Sequence, residues 1–343
     1  MHGQSGFFDL MNRYDQLSHQ GDPLERLNQV VDWNIFKSLL NHAFEKVRKS
    51  PAGRKPFNRM MMFKVLILQG LYNLSDAQVE YQIKDRLSFM RFLGLELGDT
   101  IPDKKTIWAY REVLAETNVL DRLFKRFDQY LEKQGLIAEL GHIVDASIIE
   151  VPKQRNNRDE NAQIKEGILP KSFQNNINQL RQKDTDARWT MKGGKTYYGY
   201  KNHIDIDAKR KLIRSYEVTH AASSDKWELE KLLKAASNNE NRVWADGAYY
   251  SLEQEERLKE RGYISRILNR TKKFPDNSAI ARENSRRSKV RKRIEHVFGF
   301  MQNSMKGKFI RTIGMVRAKM KIGIMNLIYN ICRYEQLCRI GTS

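Results

Sequence analysis

The stretch His142–Val151, HIVDASIIEV, decides how this chain is read. It is short and rich in Ile and Val, the composition of a strand, and it breaks sharply with the helical pattern before it. Asp145 lies inside this apolar run, where a carboxylate is costly unless a cation or a donor satisfies it. The run therefore points to a sheet built around a charged site.

Upstream, the first 140 residues read as helical. Met60–Tyr72 is apolar with helical periodicity and ends near Asn73. Ser75-Asp76-Ala77-Gln78 has the form of a capping box and opens a helix to about Arg86. Leu87–Leu95 follows, then a turn at Gly98, Pro102 and Asp103, then a helix over Lys104–Leu114. Short helices joined by tight turns suggest a helix-turn-helix-like module, with Lys104, Lys105, Thr106, Trp108 and Arg111 as candidates to face a DNA groove. The same helix would equally well pack inward, with Trp108 in a core.

Downstream, a polar stretch, Lys153–Lys195, reads as a long loop, and loops of that length are usually functional or disordered. Tyr197–Asp207 and Lys211–Val218 read as strands joined by the turn Ala208-Lys209-Arg210, and Ser224–Ala236 as a helix. Asn241–Ala245 is a fourth strand ending at Asp246-Gly247. Ser251–Arg261 is a helix stopped by Gly262, and Tyr263–Ile267 is the fifth strand. A helix from about Ser285 and a long one over Met315–Leu337 complete the chain. The expected class is α/β, a ribonuclease-H-like mixed five-stranded sheet with flanking helices behind an all-helical N-terminal domain. Three parts are expected: a helical domain over residues 1–140, a sheet domain over 141–314 carrying the 153–195 loop, and a C-terminal helix, 315–343, packing on it.

Charge narrows the partner. The chain carries 61 Lys and Arg against 41 Asp and Glu, a net of +20. Residues 1–140 hold 20 basic and 18 acidic side chains, so nearly all of the excess belongs to 141–343. Between 270 and 321 there are 16 basic residues and three acids, Asp276, Glu283 and Glu295. A polyanion explains such a bias, and an amphipathic basic helix suited to a membrane surface is not evident. Cys332 and Cys338 fit neither a zinc site nor a redox pair, which points to a reducing compartment. With no leader-like N-terminus and no apolar run near the roughly 18 residues needed to span a bilayer, a cytoplasmic, nucleoid-associated protein is expected.

Three acids carry the chemistry. Asp145 lies inside an otherwise apolar strand, Asp246 ends a strand where open sheets usually bind ligands, and Glu295 is the sole acid between Asn284 and Tyr334. If the first and fourth strands are neighbours, Asp145 and Asp246 lie side by side, and the later helix delivers Glu295. Clustered carboxylates suit Mg²⁺ or Mn²⁺, and two such ions about 3.5–4 Å apart serve an in-line phosphoryl displacement. Each acid alone has a plain structural reading: a strand-end acid, a turn former before Gly247, and a partner of basic neighbours. The coincidence of all three is what favours catalysis.

At this point the chain resembles a bacterial insertion-sequence transposase of the DDE type, and within that group the insertion-sequence-five family. The resemblance runs through FKVLILQGLYNLSDAQVEYQIKDRLSFMRFLGL, IPDKKTIWAYR, HIVDASIIEVP, KDTDARWTMKGGKTYYGYKNHIDID, ADGAYYS and RKRIEHVFG. It implies that Asp145, Asp246 and Glu295 are the catalytic and metal-holding acids, with DNA-end recognition in residues 1–140 and catalysis in 141–314. It also implies cleavage and joining of double-stranded DNA at terminal inverted repeats, and a homodimer or larger assembly on that DNA. A nuclease of the same fold without strand transfer, and a DNA-binding regulator with a dead site, are the rival readings. Family members often carry Y-x2-R-x3-E-x6-K around the glutamate; here Arg291 and Glu295 are kept, with Ser288 and Gln302 in the Tyr and Lys places. If the helix continues through Gly307, Lys306 returns near the Glu295 face and takes over the phosphate contact. Further DNA contacts are expected at Tyr200 and Lys201, and at Trp189, which with Arg188, Lys192 and Lys195 would stack on an unpaired base or would instead anchor the loop in a core. Asp184, Asp186, His203 and His220 are weaker candidates without metal-ligand company.

The charge division makes a prediction. DNA affinity should fall steeply with salt, carried by phosphate contacts from residues 141–343. Gel shifts at graded salt test it; a flat response, or full affinity in an N-terminal fragment, contradicts it.

Overall fold

The computed structural model describes residues 8–45, 55–137, 141–154, 156–233, 241–268 and 278–341. The chain divides into two compact units, Met1–Tyr130 with Ile331–Ser343, and Leu131–Asn330.

In the first unit the central element is the Arg59–Leu71 helix, buried on most of its circumference, with Phe63, Val65, Ile67 and Leu68 sealed from solvent. Asn58 starts it by accepting from the Met60 and Met61 amides. Phe36 packs against Phe63 and Phe127, at centroid distances of 5.4 and 5.9 Å. Ser75 and Gln78 close both halves of the capping box that opens Asp76–Asp85. Leu87–Leu93 follows, ended by Gly94 in the left-handed conformation. Asp103 caps Lys104–Glu116 through the Thr106 amide. Arg111 binds both carboxylate oxygens of Asp76, at 2.5 and 2.8 Å, and the Gln69 side chain at 3.1 Å. That fork fastens the Lys104–Glu116 helix to the start of Asp76–Asp85.

The second unit is a mixed α/β structure around a six-stranded sheet. Its strands are β1 (His142–Glu150), β2 (Arg188–Lys192), β3 (Lys195–Asp207), β4 (Ile213–His220), β5 (Arg242–Trp244) and β6 (Ile264–Ser265). The order is β2-β3-β1-β5-β6, with β4 also on β3. β1 pairs antiparallel with β3 along its whole length, His142 opposite Asp207 through Glu150 opposite Gly199. On its other edge β1 pairs in parallel with β5, and β5 with β6. Behind β5 and β6 an apolar cluster, including Val144, Leu229, Val243, Tyr249 and Leu258, packs the unit together.

The expected five strands are six. β2 lies in the stretch read as polar loop, because its composition hides a hairpin: Gly193 and Gly194 both adopt positive φ, the two-residue turn that joins Lys192 to Lys195. The rest of that stretch holds the helices Arg158–Lys165, Lys171–Gln174 and Ile177–Leu180, anchored by buried Ile164 and Phe173. Further along β3, Gly199 has φ +155°, and a Cβ there would meet the Ile149 carbonyl oxygen at 2.2 Å. The 224–236 helix is shorter than expected, a 3₁₀ turn at Asp225–Glu228 and an α-turn at Leu229–Leu232; residues 234–236 lie outside the described residues. The helix expected from Ser285 begins at Ser278, stops at Arg291, resumes over Arg293–Gly299 and ends in a π-turn at Phe300–Ser304.

The Met315–Arg339 helix meets the sheet through two buried amides. Asn326 and Asn202 exchange hydrogen bonds of 2.7 and 3.1 Å, and Asn330 satisfies both backbone groups of Ile213. Asn202→Leu should cost about 1–3 kcal/mol, because it strands the Asn326 amide, while Asn202→Leu with Asn326→Leu should recover much of that loss. Denaturant titration of the two variants checks the coupling; equal losses in both would deny it.

Candidate active site

β1 alternates faces, so Asp145 and Ser147 project to one side and Val144 and Ala146 to the other. The Ser278–Arg291 and Arg293–Gly299 helices pack on β1. They deliver Arg291, whose Nη1 donates to Asp145 Oδ2 at 2.8 Å and whose Nη2 lies 3.5 Å from Glu295 Oε1. Asp145 Oδ1 accepts from the Ala146 amide at 2.8 Å. Burial pushes the Asp145 carboxyl above the usual carboxylate range; the Ala146 amide, Arg291 and Lys192 pull it back, and Asp246 adds to the rise.

Asp246 arrives from β5. The parallel register sets His142 against Val243 and Ile143 against Trp244, so two residues further on Asp145 and Asp246 stand level where the paired strands end. Asp246 Oδ1 accepts from the Gly247 amide at 2.8 Å, which fixes the start of the Gly247–Tyr249 turn. Glu295 is mostly solvent-exposed, in the first turn of Arg293–Gly299, and touches the group through Arg291.

The oxygen donors from two adjacent strands and one helix are chemically right for a hard divalent cation. The Arg291 guanidinium stands in for that positive charge between Asp145 and Glu295. Among the described residues no three His, Cys, Asp or Glu side chains already converge at metal-binding range.

Two further residues belong here: Tyr249, which sequence reasoning missed, and Lys192, which it grouped with Trp189 as a DNA contact and did not place beside Asp145. Tyr249 is buried beneath the acids with no hydrogen-bond partner for its hydroxyl; burial and the charges of Asp145, Asp225 and Asp246 raise its pKa far above the ordinary phenol range. Lys192, at the tip of the β2–β3 hairpin, lies close enough to Asp145 to lower its pKa. The Gly193-Gly194 turn was the signal that would have placed it.

Other expected residues lie elsewhere. The helix does not continue to Lys306: the π-turn ends at Ser304, Lys306 has φ +49°, and Gly307 is pressed on Met325 and the Met301 carbonyl. Lys306 is exposed, and the single helical face with Glu295 is lost. Gln302, in the family's Lys place, instead donates to Ser147 Oγ at 2.8 Å, on the Asp145 face of β1. Tyr200 is fully buried and donates its hydroxyl to Asp184, so it is withdrawn from any phosphate. Lys201 is tied to Asp225 Oδ1 at 2.8 Å and the Ser223 carbonyl at 2.7 Å. Arg111 is committed to Asp76, whereas Lys104, Lys105 and Trp108 are exposed. Trp189 is about half-exposed beside Tyr198, with Lys153 over its ring.

Among the weaker candidates, buried Asp184 is a structural anchor, accepting from Tyr198's neighbour Tyr200 and from the Asp186 and Ala187 amides. His203 is sealed on β3, donor or acceptor to Thr219 Oγ1 at 2.8 Å, and burial lowers its pKa to about 4.

Residues 11–113 match the family described as Transposase domain (DUF772), and residues 138–331 match Transposase DDE domain. No solved structure matches the chain significantly. No helix among the described residues is long and apolar enough to cross a membrane.

Because its hydroxyl serves Asp184, Tyr200→Phe should lower stability by about 1–3 kcal/mol and leave DNA affinity unchanged. Thermal melts beside gel shifts decide; weakened binding with an unchanged melt would restore Tyr200 as a DNA contact.

Proposed function

We infer the reaction from one premise: the chain belongs to the DDE transposase family. Its substrate is double-stranded DNA. The catalytic unit, ribonuclease-H-like in its plan, hydrolyses one strand at the end of an insertion sequence and joins the freed 3′-OH to target DNA. The observation that carries this reading is the parallel pairing of β1 with β5, in which Asp145 and Asp246 each follow the last paired residue by two, with Arg291 on Asp145 and beside Glu295.

Asp145, Asp246 and Glu295 would hold two Mg²⁺ or Mn²⁺ ions. When bound, such ions supply positive charge to the attacking and leaving oxygens of an in-line displacement. Arg291, which donates to Asp145 and lies 3.5 Å from Glu295, would give up these carboxylates as they held the ions and would serve the reacting phosphate as a charge-assisted donor. Gln302 keeps β1 and the π-turn together on the same side. The Lys192 tip places a further cation over the site, where a strand phosphate would lie.

The N-terminal helices supply recognition of the terminal inverted repeats. Lys104, Lys105 and Trp108 stand exposed on the first turns of a capped helix that follows a short helix pair, the arrangement of a helix-turn-helix-like reader. The near balance of charge in residues 1–140 suits base selection more than raw affinity. Two element ends have to be brought together, which calls for a dimer or larger assembly on DNA.

Asp145→Asn, Asp246→Asn and Glu295→Gln should each abolish divalent-metal-dependent cleavage of an end-containing duplex while gel-shift binding survives. Cleavage retained in any one of them removes that residue from the site. Supplying a pre-cut end with a 3′-OH and a target plasmid separates joining from cutting; cleavage without any joined product would make the protein a nuclease instead.

A further inference from the structure

We propose that Tyr249 is a positioning residue of the acid site, its hydroxyl donating to the Asp145 carboxylate when that carboxylate exchanges Arg291 for a divalent ion; this rests on the three-acid reading above. Tyr249 is 1% exposed, and its Oη, sealed from solvent, makes no hydrogen bond among the described residues. Buried polar atoms are almost always satisfied, and a phenylalanine would fill the same space without an orphaned hydroxyl. The phenol therefore needs a reason.

Its position supplies one. Tyr249 lies three residues after Asp246, at the end of the Gly247–Tyr249 turn, and its amide donates to the Asp246 carbonyl at 3.0 Å. Its ring belongs to the apolar cluster that contains Val144 and Ala245, the residues immediately before Asp145 and Asp246. The phenol is thus built into the packing of the two strand ends that carry the acids. Burial and four carboxylates, Asp145, Asp225, Asp246 and Glu228, hold it protonated far above the ordinary phenol range. Toward an ionised carboxylate it can only donate.

Three of those carboxylates have no need of it. Lys201 Nζ holds Asp225 Oδ1 at 2.8 Å, and Lys231 Nζ holds Glu228 Oε2 at 2.9 Å. Asp246 is exposed, so water serves whatever the Gly247 amide does not. Asp145 differs. Its side chain is mostly withdrawn from solvent, and its donors among the described residues are the Ala146 amide and Arg291, each at 2.8 Å. A carboxylate has roughly four acceptor sites, so one donor can replace another while an ion is held. Once Arg291 leaves, the amide alone does not fix the carboxylate plane. A neutral phenol orients a metal-holding carboxylate without repelling the ion, which a guanidinium cannot do.

The test is Mn²⁺ binding to the full-length protein without DNA, read from the electron paramagnetic resonance signal of the free ion. Tyr249→Phe should weaken that binding by about 10- to 100-fold, the usual effect of losing a donor behind a metal ligand. Without metal its melting temperature should hold or rise, because the hydroxyl removed has no partner there. Arg291→Met removes the guanidinium and keeps most of the stem, which frees Asp145 in the absence of metal. In that background Tyr249→Phe should lower the melting temperature by about 2–4 °C, as for one hydrogen bond. Parent-like Mn²⁺ affinity in Tyr249→Phe overturns the proposal. A melting temperature that responds equally to Tyr249→Phe with and without Arg291 overturns it too, since the hydroxyl would then not take the place of the guanidinium. Unchanged Mn²⁺ affinity in Asp145→Asn would overturn the three-acid reading, and the role of Tyr249 with it.

Discussion

The structure of the catalytic unit depends on keeping a carboxylate charged inside a central strand. Asp145 is paired with Ile204 of β3 on one edge, and its side chain is mostly withdrawn from solvent. Compensation has to come from the face its side chain points to, and one amide and one guanidinium supply it. Removing either partner would leave a desolvated charge whose cost far exceeds a surface ion pair's worth. The two helices that pack on that face are therefore bound to bring a cation, and the residue that brings it sits one helical turn from Glu295. Structure and chemistry share the same demand.

That demand also explains the break in the C-terminal helical run. A continuous helix from Ser278 to Ser304 would carry Arg291, Glu295 and Gln302 along one slowly drifting stripe. The interruption at Lys292 and the π-turn over Phe300–Ser304 re-aim it, so that Arg291 reaches Asp145 and Gln302 reaches Ser147, two residues apart on the same strand. π-turns inside helices are uncommon and gather at functional sites, because each extra residue rotates the following side chains. Here the rotation sends Lys306 out to solvent and turns the family's lysine place inward as a glutamine.

Legibility in the sequence followed the strength of local signals. The strands bearing Asp145 and leading to Asp246 were readable because β-branched runs end at abrupt polar boundaries. The capping box at Ser75 and Gln78 located a helix start through paired side chains that need no tertiary help. β2 was not readable: Arg188–Lys192 has only Trp189 and Met191 as apolar residues, both exposed, in a polar stretch, and β3 offers it an edge. Tyr200 and Arg111 were read as DNA contacts from residue type, yet the first is claimed by Asp184 and the second by Asp76, partners 16 and 35 residues away. Tyr249 gave no signal at all, since a tyrosine after a turn glycine is ordinary until its hydroxyl is found buried among acids.

The placement of charge across the unit joins these points. A phosphate approaching Asp145 and Asp246 meets two carboxylates before it meets any cation, which would repel it without a counter-charge. Arg291 donates to Asp145 from a helix, and Lys192, at the end of a two-stranded hairpin, lies near enough to Asp145 to lower its pKa. The helical cation is held by Asp145 and Glu295, so it becomes available only as those oxygens take up other positive charge. The hairpin cation rests on a short ribbon with a diglycine turn, the kind of element that adjusts to a strand lying across it. Under the proposed reaction, the first would be freed as the acids took up metal ions and the second would follow the DNA, so that a repulsive pocket would become attractive when both conditions were met.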